Sequence, residues 1–255
     1  MDYLCQVKRT NNLPLLIGRK PLIEALKQGT AVEKIFLLRT ATGEEISTIK
    51  KLAREKNIPL SQVPEEKLNS MTRSMHQGVV AWTSLLNYTE LQDAISYVVE
   101  HGEVPLFVLL DGVTDVRNVG AIARTALCCG AQGLILPTSS SASLTEEAIK
   151  TSAGALTKIL LCRIPSVQQA IDILRLNGLQ VLGTQMKGSV PVYEADFSVP
   201  SCIVMGAEDT GISKDVLKRA DQLIHIPMTT GFDSLNVSVA TGMVLYEAMR
   251  QRLLA

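Results

Sequence analysis

Residues 226–240, IPMTTGFDSLNVSVA, carry the chain from an apolar strand through a polar turn directly into a helix. Ser234, Asn236 and Ser238 place hydroxyl and amide groups where the first turn of that helix leaves backbone N–H groups without partners. Such a turn can hold a polar ligand, but ordinary helix capping uses the same residue types. The turn chemistry alone leaves both interpretations open.

Short apolar segments alternate with helical segments from residue 105 onward. We predict strands at 106–110, 133–136, 180–183, 202–205 and 223–226, and helices that include 118–129 and 167–177. This alternation is typical of an α/β domain with a mainly parallel sheet and helices on both faces. Ligands of such sheets bind beyond the carboxyl ends of the strands, so polar segments that follow strands are the candidates for a site.

Two further polar segments lie at the ends of predicted strands. Residues 111–126 read DGVTDVRNVGAIARTA, and residues 203–213 read IVMGAEDTGIS. Because both segments begin at strand ends, they can lie beside the segment 226–240 at one edge of the sheet.

Taken in this order, the three segments closely resemble the signature motifs of the SpoU/TrmH family of RNA ribose 2′-O-methyltransferases, within the SPOUT superfamily. The resemblance spans about residues 105–255 and includes TSAGA at 151–155. It implies S-adenosylmethionine (SAM) as cofactor and a ribose hydroxyl of RNA as methyl acceptor. It also implies a deep trefoil knot in the catalytic domain and an active site built at the interface of a homodimer.

The N-terminal part is similar to the family's small substrate-binding domain of ribosomal-protein L30e type, through IGRKPLIEAL at 17–26 and HQGVVA at 76–81. Helical spacing at 20–28 and 44–56 and a strand-like run at 32–38 independently predict a small α/β unit there. A capping-box sequence, TELQ at 89–92, precedes another helical run. We predict an L30e-like RNA substrate-binding domain at 1–84, a linker helix at 85–104 and a SAM-dependent methyltransferase domain at 105–255. This layout most resembles that of 23S rRNA guanosine 2′-O-methyltransferases.

The charge of the chain is unevenly distributed although its net value is zero. Residues 1–85 contain 13 Lys and Arg against 8 Asp and Glu, and the remainder contains 12 against 17, so the two parts carry +5 and −5. A basic module beside an acidic one fits an RNA-docking unit attached to a catalytic unit. A chance fluctuation of surface charge is the alternative interpretation.

Several classes of protein are disfavoured by the composition. No apolar run approaches the roughly 20 residues of a membrane span, and the N-terminus does not read as a secretion signal. The five cysteines are odd in number and lack C-x-x-C spacing, which argues against disulfides and zinc. We therefore expect a cytoplasmic protein without a metal cofactor and without membrane association.

The resemblance places the cofactor at Gly206, Ile226 and Leu235, whose family counterparts receive the adenine. Gly206 ends a strand without a side chain, which allows close approach of a ligand. Thr184, at the end of another strand, is a weaker candidate, because its hydroxyl could equally serve a local turn.

For the chemical step, the family pattern points to five residues: Asn118, Arg124, Glu208, Ser234 and Asn236. Asn118 could instead cap a helix that begins near it, and Arg124 could merely pair with an acid. We favour a role for the Arg124 guanidinium in holding a substrate phosphate or stabilising the ribose oxygen. It is a poor general base because the pKa of arginine lies above about 12. Glu208 could orient Arg124 or Asn236.

The remaining polar candidates and the departures from the family pattern complete the prediction. His76, His101 and His225 lie outside the motif positions, and we interpret them as structural or exposed. Three departures bear on loop conformation and substrate fit: Val116 and Asp209 replace a common proline and glycine, and Thr230 precedes a glycine shifted by one position. The predicted substrate is rRNA, with tRNA as the nearer alternative and a non-catalytic RNA-binding or ribosome-assembly protein as the rival from another class.

Overall fold

The computed structural model describes residues 9–10, 13–83, 86–138, 144–186, 190–229 and 234–254. The chain divides into two compact units, Met1–Asn87 with Ser143–Glu146, and Tyr88–Ala142 with Glu147–Ala255. Within the described ranges, none of the helices combines the length and apolar content that a membrane span requires.

The N-terminal unit is built on a five-stranded sheet in the order β1-β2-β5-β3-β4, in which only β3 and β4 are parallel neighbours. Its elements are β1 (Arg9–Thr10), β2 (Leu13–Ile17), α1 (Arg19–Lys27), β3 (Val32–Leu38), α2 (Glu44–Glu55), β4 (Leu60–Val63), α3 (Glu65–Met71) and β5 (Val79–Thr83). The predicted helices and strand of this unit are confirmed within one residue at each end. α2 forms because Ile46, Ile49 and Ala53 recur at helical spacing and are buried against the sheet.

The C-terminal unit contains a seven-stranded sheet in the order β10-β12-β9-β11-β6-β7-β8, and every neighbouring pair is parallel. Its strands are β6 (Leu106–Asp111), β7 (Gly133–Pro137), β8 (Leu160–Ile164), β9 (Gln180–Thr184), β10 (Val190–Pro191), β11 (Ser201–Gly206) and β12 (Gln222–His225). Its helices are α4 (Leu91–Glu100), α5 (Val116–Cys128), α6 (Glu146–Thr151), α7 (Val167–Leu176), α8 (Lys214–Arg219) and α9 (Val237–Leu254). The predicted α/β class with a mainly parallel sheet is confirmed.

The central strands are buried on both faces, as the continuous apolar run of β6 predicts. On one face, Phe107 and Leu109 of β6 belong to a cluster that includes Ile171 of α7 and Val216 of α8. α4, which occupies the predicted linker, contributes its buried residues to the same cluster. By packing, this helix is therefore part of the C-terminal unit.

The C-terminal unit differs from the sequence-based prediction in several details, among them the two-residue strand β10, which was not predicted. β8 was not predicted, because Arg163 interrupts its apolar run. α5 begins at Val116 rather than near Asn118, because Asp115 caps it by accepting a hydrogen bond from the Arg117 N–H at 2.8 Å. Asn118 is therefore the third residue of the helix and does not cap it.

Candidate active site

A cavity of about 580 Å³ lies where three neighbouring strands end. β9 ends at Thr184, β11 at Gly206 and β12 at His225, and β9 pairs with both of the others. Carboxyl ends of parallel strands are where α/β sheets bind ligands, and the volume is in the range of small-molecule sites. This cavity is the best candidate for a cofactor site in the described part of the chain.

The four predicted cofactor residues, Thr184, Gly206, Ile226 and Leu235, all line this cavity. They come from three different strand ends and from the segment before α9, so the sheet brings together residues that are far apart in sequence. Thr184 donates its hydroxyl proton to the Val204 carbonyl at 2.8 Å. Only the lone pairs and the methyl group of Thr184 thus remain for a ligand.

Gly206 is required by a close approach of protein backbone. A Cβ atom at this position would lie 2.2 Å from the Gly211 carbonyl carbon and from the Ile212 nitrogen. These atoms belong to a tight turn in which Ala207 and Gly211 exchange two backbone hydrogen bonds, of 3.2 and 2.8 Å. The turn itself therefore requires glycine at this position, and close approach of a ligand to Gly206 stays a prediction.

Glu208 and Asp209 are exposed at the tip of this turn, and both line the cavity. Among the described residues of this one chain, no hydrogen bond or ion pair engages the Glu208 carboxylate. Orientation of Arg124 or Asn236 by Glu208 stays a prediction. The two carboxylates place negative charge at the cavity.

Asn236 joins the first and third motifs. Its Nδ2 donates to Asn118 Oδ1 at 3.2 Å, and its Oδ1 accepts from the Ser238 N–H at 2.9 Å and from the Ser238 hydroxyl at 2.6 Å. Asn236 therefore caps α9 and at the same time holds α9 to α5. Capping and site assembly, which the sequence left as alternatives, coexist in this one side chain.

Arg124 is exposed on α5 and stands apart from the cavity wall. Six residues along a helix rotate its side chain by about 120° from that of Asn118. Within the residues that the structure describes, its guanidinium has neither a hydrogen bond nor an ion pair. All five N–H donors of Arg124 thus remain free for a ligand or another chain.

Ser234 is exposed and lines the cavity. Thr230, one of the three departures from the family pattern, lies outside the described residues. The other two, Val116 and Asp209, are the first residue of α5 and a residue of the cavity rim.

Asp111 was missed as a structural determinant of this site. It ends β6, is buried, and its Oδ2 accepts a hydrogen bond from the Ser213 N–H at 2.6 Å. Ser213 caps α8, so this carboxylate fixes the second motif against the first. The sequence could have indicated this role, because Asp111 places a carboxylate at the end of an otherwise apolar strand.

His225 was also missed, because it was interpreted as structural or exposed. It is partly buried, ends β12 and lines the cavity. The sequence could have indicated this position, because His225 immediately precedes Ile226, a predicted cofactor residue. Neither His76 nor His101 is among the residues that line this cavity.

The residues of the cavity fit SAM. Ile224, Ile226, Leu235 and Val244 supply apolar wall for an adenine ring, whereas Glu208 and Asp209 supply charge opposite to that of a sulfonium or ammonium group. No group of His, Cys, Asp and Glu side chains in the described ranges could hold a metal ion.

Two family models match the chain. The model described as the SpoU rRNA Methylase family matches residues 105–246, and the one described as RNA 2′-O ribose methyltransferase substrate binding matches residues 15–89. YacO of Bacillus subtilis, which is assigned to the TrmH family of tRNA/rRNA methyltransferases, is 32% identical over 237 residues. That alignment covers 93% of this chain and 95% of YacO.

Solved structures resemble both units of the chain. The SpoU methyltransferase AviRb from Streptomyces viridochromogenes, in complex with SAM, matches with a TM-score of 0.61 and 27% identity over 94% of this chain and 91% of AviRb. A SAM-bound rRNA methyltransferase from Sinorhizobium meliloti matches with a TM-score of 0.59 and 28% identity, over 92% of this chain and 86% of that chain.

Proposed function

Because this chain belongs to the SpoU rRNA methylase family and is a SAM-dependent RNA methyltransferase, we propose that it methylates the ribose 2′-hydroxyl of a guanosine in 23S rRNA, the reaction of RlmB-type enzymes. The observation that carries this proposal is the convergence of the motifs. Thr184, Gly206, Ile226 and Leu235 line one cavity, and Asn236 links the third motif to Asn118 of the first.

The cofactor supplies a methyl group that its sulfonium already activates, so the protein acts mainly by binding and alignment. We assign Ile226 and Leu235 to the apolar surface that receives the adenine, with Thr184 and Gly206 at the adjoining strand ends. Methyl transfer would leave the cofactor as S-adenosylhomocysteine, and the proton of the ribose hydroxyl would pass to water.

The remaining residues of the site act on the substrate. We assign the free Arg124 guanidinium to a substrate phosphate or to the ribose oxygen as it loses its proton. The Asn118–Asn236 pair fixes the position of α5 relative to α9. Glu208 and Ser234, exposed at the cavity, are placed to contact the reacting groups or to orient the residues that do.

RNA recognition is assigned to the N-terminal domain, residues 1–84. Residues 85–104 are assigned to a connecting segment whose helix packs in the C-terminal unit, and residues 105–255 to the catalytic domain. The excess of positive charge in residues 1–85 supports this assignment. Ribosomal RNA is supported by the similarity of both units to a protein described as an rRNA methyltransferase. Transfer RNA is the second candidate, because YacO is assigned to a family of tRNA/rRNA methyltransferases.

A homodimer is supported by the surface of α9. Val239, Met243 and Tyr246 are 51, 47 and 61% exposed, and their spacing places them in one stripe along the helix. The opposite face of α9 is buried in its own unit. An exposed apolar stripe of this kind is typical of a protein interface. Arg124, which stands apart from the cavity of its own chain, would complete the site of the partner subunit.

The proposal is tested by transfer of labelled methyl from SAM to unmodified rRNA and tRNA, followed by nuclease mapping of the labelled nucleotide. We expect ribose 2′-O-methylation of one guanosine in 23S rRNA. Label in tRNA alone would select the second candidate. Absence of label in both RNAs, together with absence of SAM binding, would indicate a non-catalytic RNA-binding protein. The predicted cytoplasmic location is tested separately by cell fractionation.

A further inference from the structure

The three histidines of the chain differ in how their rings are bound. His76 uses both ring nitrogens: Nε2 lies 3.1 Å from Asn69 Oδ1, and Nδ1 accepts from the Gly78 N–H at 3.0 Å. His101 places Nδ1 2.7 Å from the Tyr97 carbonyl oxygen. The ring of His225, by contrast, has no hydrogen bond with any residue that the structure describes, and its Nδ1 is buried.

The unpaired ring lies in the wall of the cofactor cavity. His225 is held there because β12 pairs with β10 on one side and β9 on the other. Trp82 Nε1 and Thr145 Oγ1 are also buried and unpaired, but neither residue lines the cavity. His225 therefore combines an unsatisfied buried polar atom with a position at a ligand site.

A buried polar atom without a partner is unfavourable, so a native protein that retains one usually gains something from it. Among the described residues, no hydrogen bond fixes the orientation of the His225 ring. A half-turn about the Cβ–Cγ bond exchanges Nδ1 with a ring carbon, so a nitrogen can stand at either of these two ring positions. A ligand in the cavity can then supply the missing partner.

We propose that His225 is a cofactor-contact residue that hydrogen-bonds the adenosine moiety of SAM. Ile226, the next residue, and Leu235 form the wall assigned to the adenine, so the adenosine end of the cofactor is the end nearest to His225. The ribose hydroxyls and the adenine amino group can both donate to a neutral imidazole nitrogen. This inference rests on the cofactor assignment made above.

The test compares His225→Leu with His225→Asn. Leucine fills a similar volume without a hydrogen-bonding group, whereas asparagine keeps polar atoms at about the position of Nδ1. Binding of SAM and of 5′-methylthioadenosine to the full chain is measured by calorimetry. For His225→Leu we expect a loss of about three- to tenfold in affinity, equal for both ligands. For His225→Asn we expect a smaller loss.

Thermal unfolding without ligand is the control for folding. Because His225→Leu removes an unpaired polar atom, we expect its Tm to stay at or above that of the wild type. A lower Tm with unchanged affinity would indicate a purely structural role and would overturn the inference. A loss confined to SAM and absent with 5′-methylthioadenosine would overturn the assignment to adenosine.

Nitrogen NMR of the imidazole groups gives a readout independent of any variant. With three histidines in the chain, the His225 signals can be assigned from the spectrum of His225→Leu. We expect the nitrogen shifts of His225 to change on addition of SAM, with those of His76 unchanged. Unchanged His225 shifts at saturating SAM would contradict the contact, whereas absence of SAM binding by the wild type would instead contradict the cofactor assignment itself.

Discussion

At Asn236 one amide group serves two elements, and two substitutions separate the two roles. Asn236→Ala removes both the cap of α9 and the bond to Asn118, so we expect a loss of about 1 kcal/mol in stability together with a loss of methyl transfer. Asn118→Ala removes only the bond, since Asp115 caps α5. We expect its Tm to be near that of the wild type and its rate of transfer to fall on the order of a hundredfold. Near-normal turnover of Asn118→Ala would refute this assignment.

Among the described residues, Arg124 has no hydrogen-bond or ion-pair partner to lose. Arg124→Ala should therefore leave folding and SAM binding intact, yet remove nearly all methyl transfer, because its guanidinium is assigned to the substrate. Equilibrium binding, Tm and turnover are measured side by side. Arg175→Ala, which breaks an exposed ion pair with Asp221, is the matched control and should retain full activity. A loss of SAM affinity in Arg124→Ala would place the residue at the cofactor instead.

Gly206→Ala should destabilise the protein by about 1–3 kcal/mol, because the added Cβ meets backbone atoms of the turn 207–211 that cannot move independently. SAM affinity should fall with it, since that turn forms part of the cavity wall. Gly242→Ala is the control: its Cβ would lie 3.6 Å from the Thr125 methyl group, within ordinary contact. Its stability should be equal or higher, because alanine favours the helix. If Gly206→Ala kept the Tm and the SAM affinity of the wild type, this would contradict the close approach of the turn backbone to Gly206.

At the scale of elements, the helices and strands that carry the motifs were largely predictable, because each has a strong local pattern. β6 and β11 are continuous apolar runs, and α2 has clear helical spacing. The errors have local causes. Arg163 interrupts the apolar run of β8, so this strand was not predicted. Asp115 caps α5 with a polar side chain, and apolar periodicity does not report a cap. The role of Glu208 toward Arg124 or Asn236 stays a prediction, because side-chain contacts between loops depend on loop geometry that no spacing rule describes.

The exposed stripe of α9 makes a prediction about assembly. Met243→Glu places a charge in the middle of the stripe and should convert a dimer to a monomer, measured by sedimentation velocity. Leu176→Glu is the matched control, because Leu176 is 86% exposed at the end of α7, away from the stripe. It should leave the dimer unchanged. A dimer that survives Met243→Glu would place the interface elsewhere.

For the whole molecule, the uneven charge predicts where RNA affinity resides. Lys20, Arg39 and Arg73 are all exposed in the N-terminal unit, and their joint replacement by glutamine should weaken RNA binding. The slope of the logarithm of the binding constant against the logarithm of salt concentration should become less negative by about 2–3. SAM affinity should not change. Lys150, Lys158 and Lys218 of the C-terminal unit, replaced together, serve as the control. Equal effects of the two triple variants would mean that the charge asymmetry has no role in docking.

The class of the fold followed from the alternation of strands and helices, but the order of the strands did not. β9 lies between β11 and β12, an arrangement set by long-range packing that leaves no trace in local periodicity. The trefoil knot rests on the family resemblance alone. The cavity was anticipated because all the motifs follow strand ends, and parallel strands bring those ends to one edge.

The capped start of α9 connects the cavity with the exposed stripe, so ligand binding and self-association can influence each other. Leu235 lines the cavity and Val239 lies on the exposed stripe, and only the capped start of α9 separates them. If that stripe is where two copies meet, any order that self-association imposes on the start of α9 is transmitted to the cavity wall. If that order raises the affinity for the ligand, thermodynamic reciprocity requires the ligand to strengthen self-association by the same factor. The affinity for SAM would in that case rise with the concentration of the protein itself.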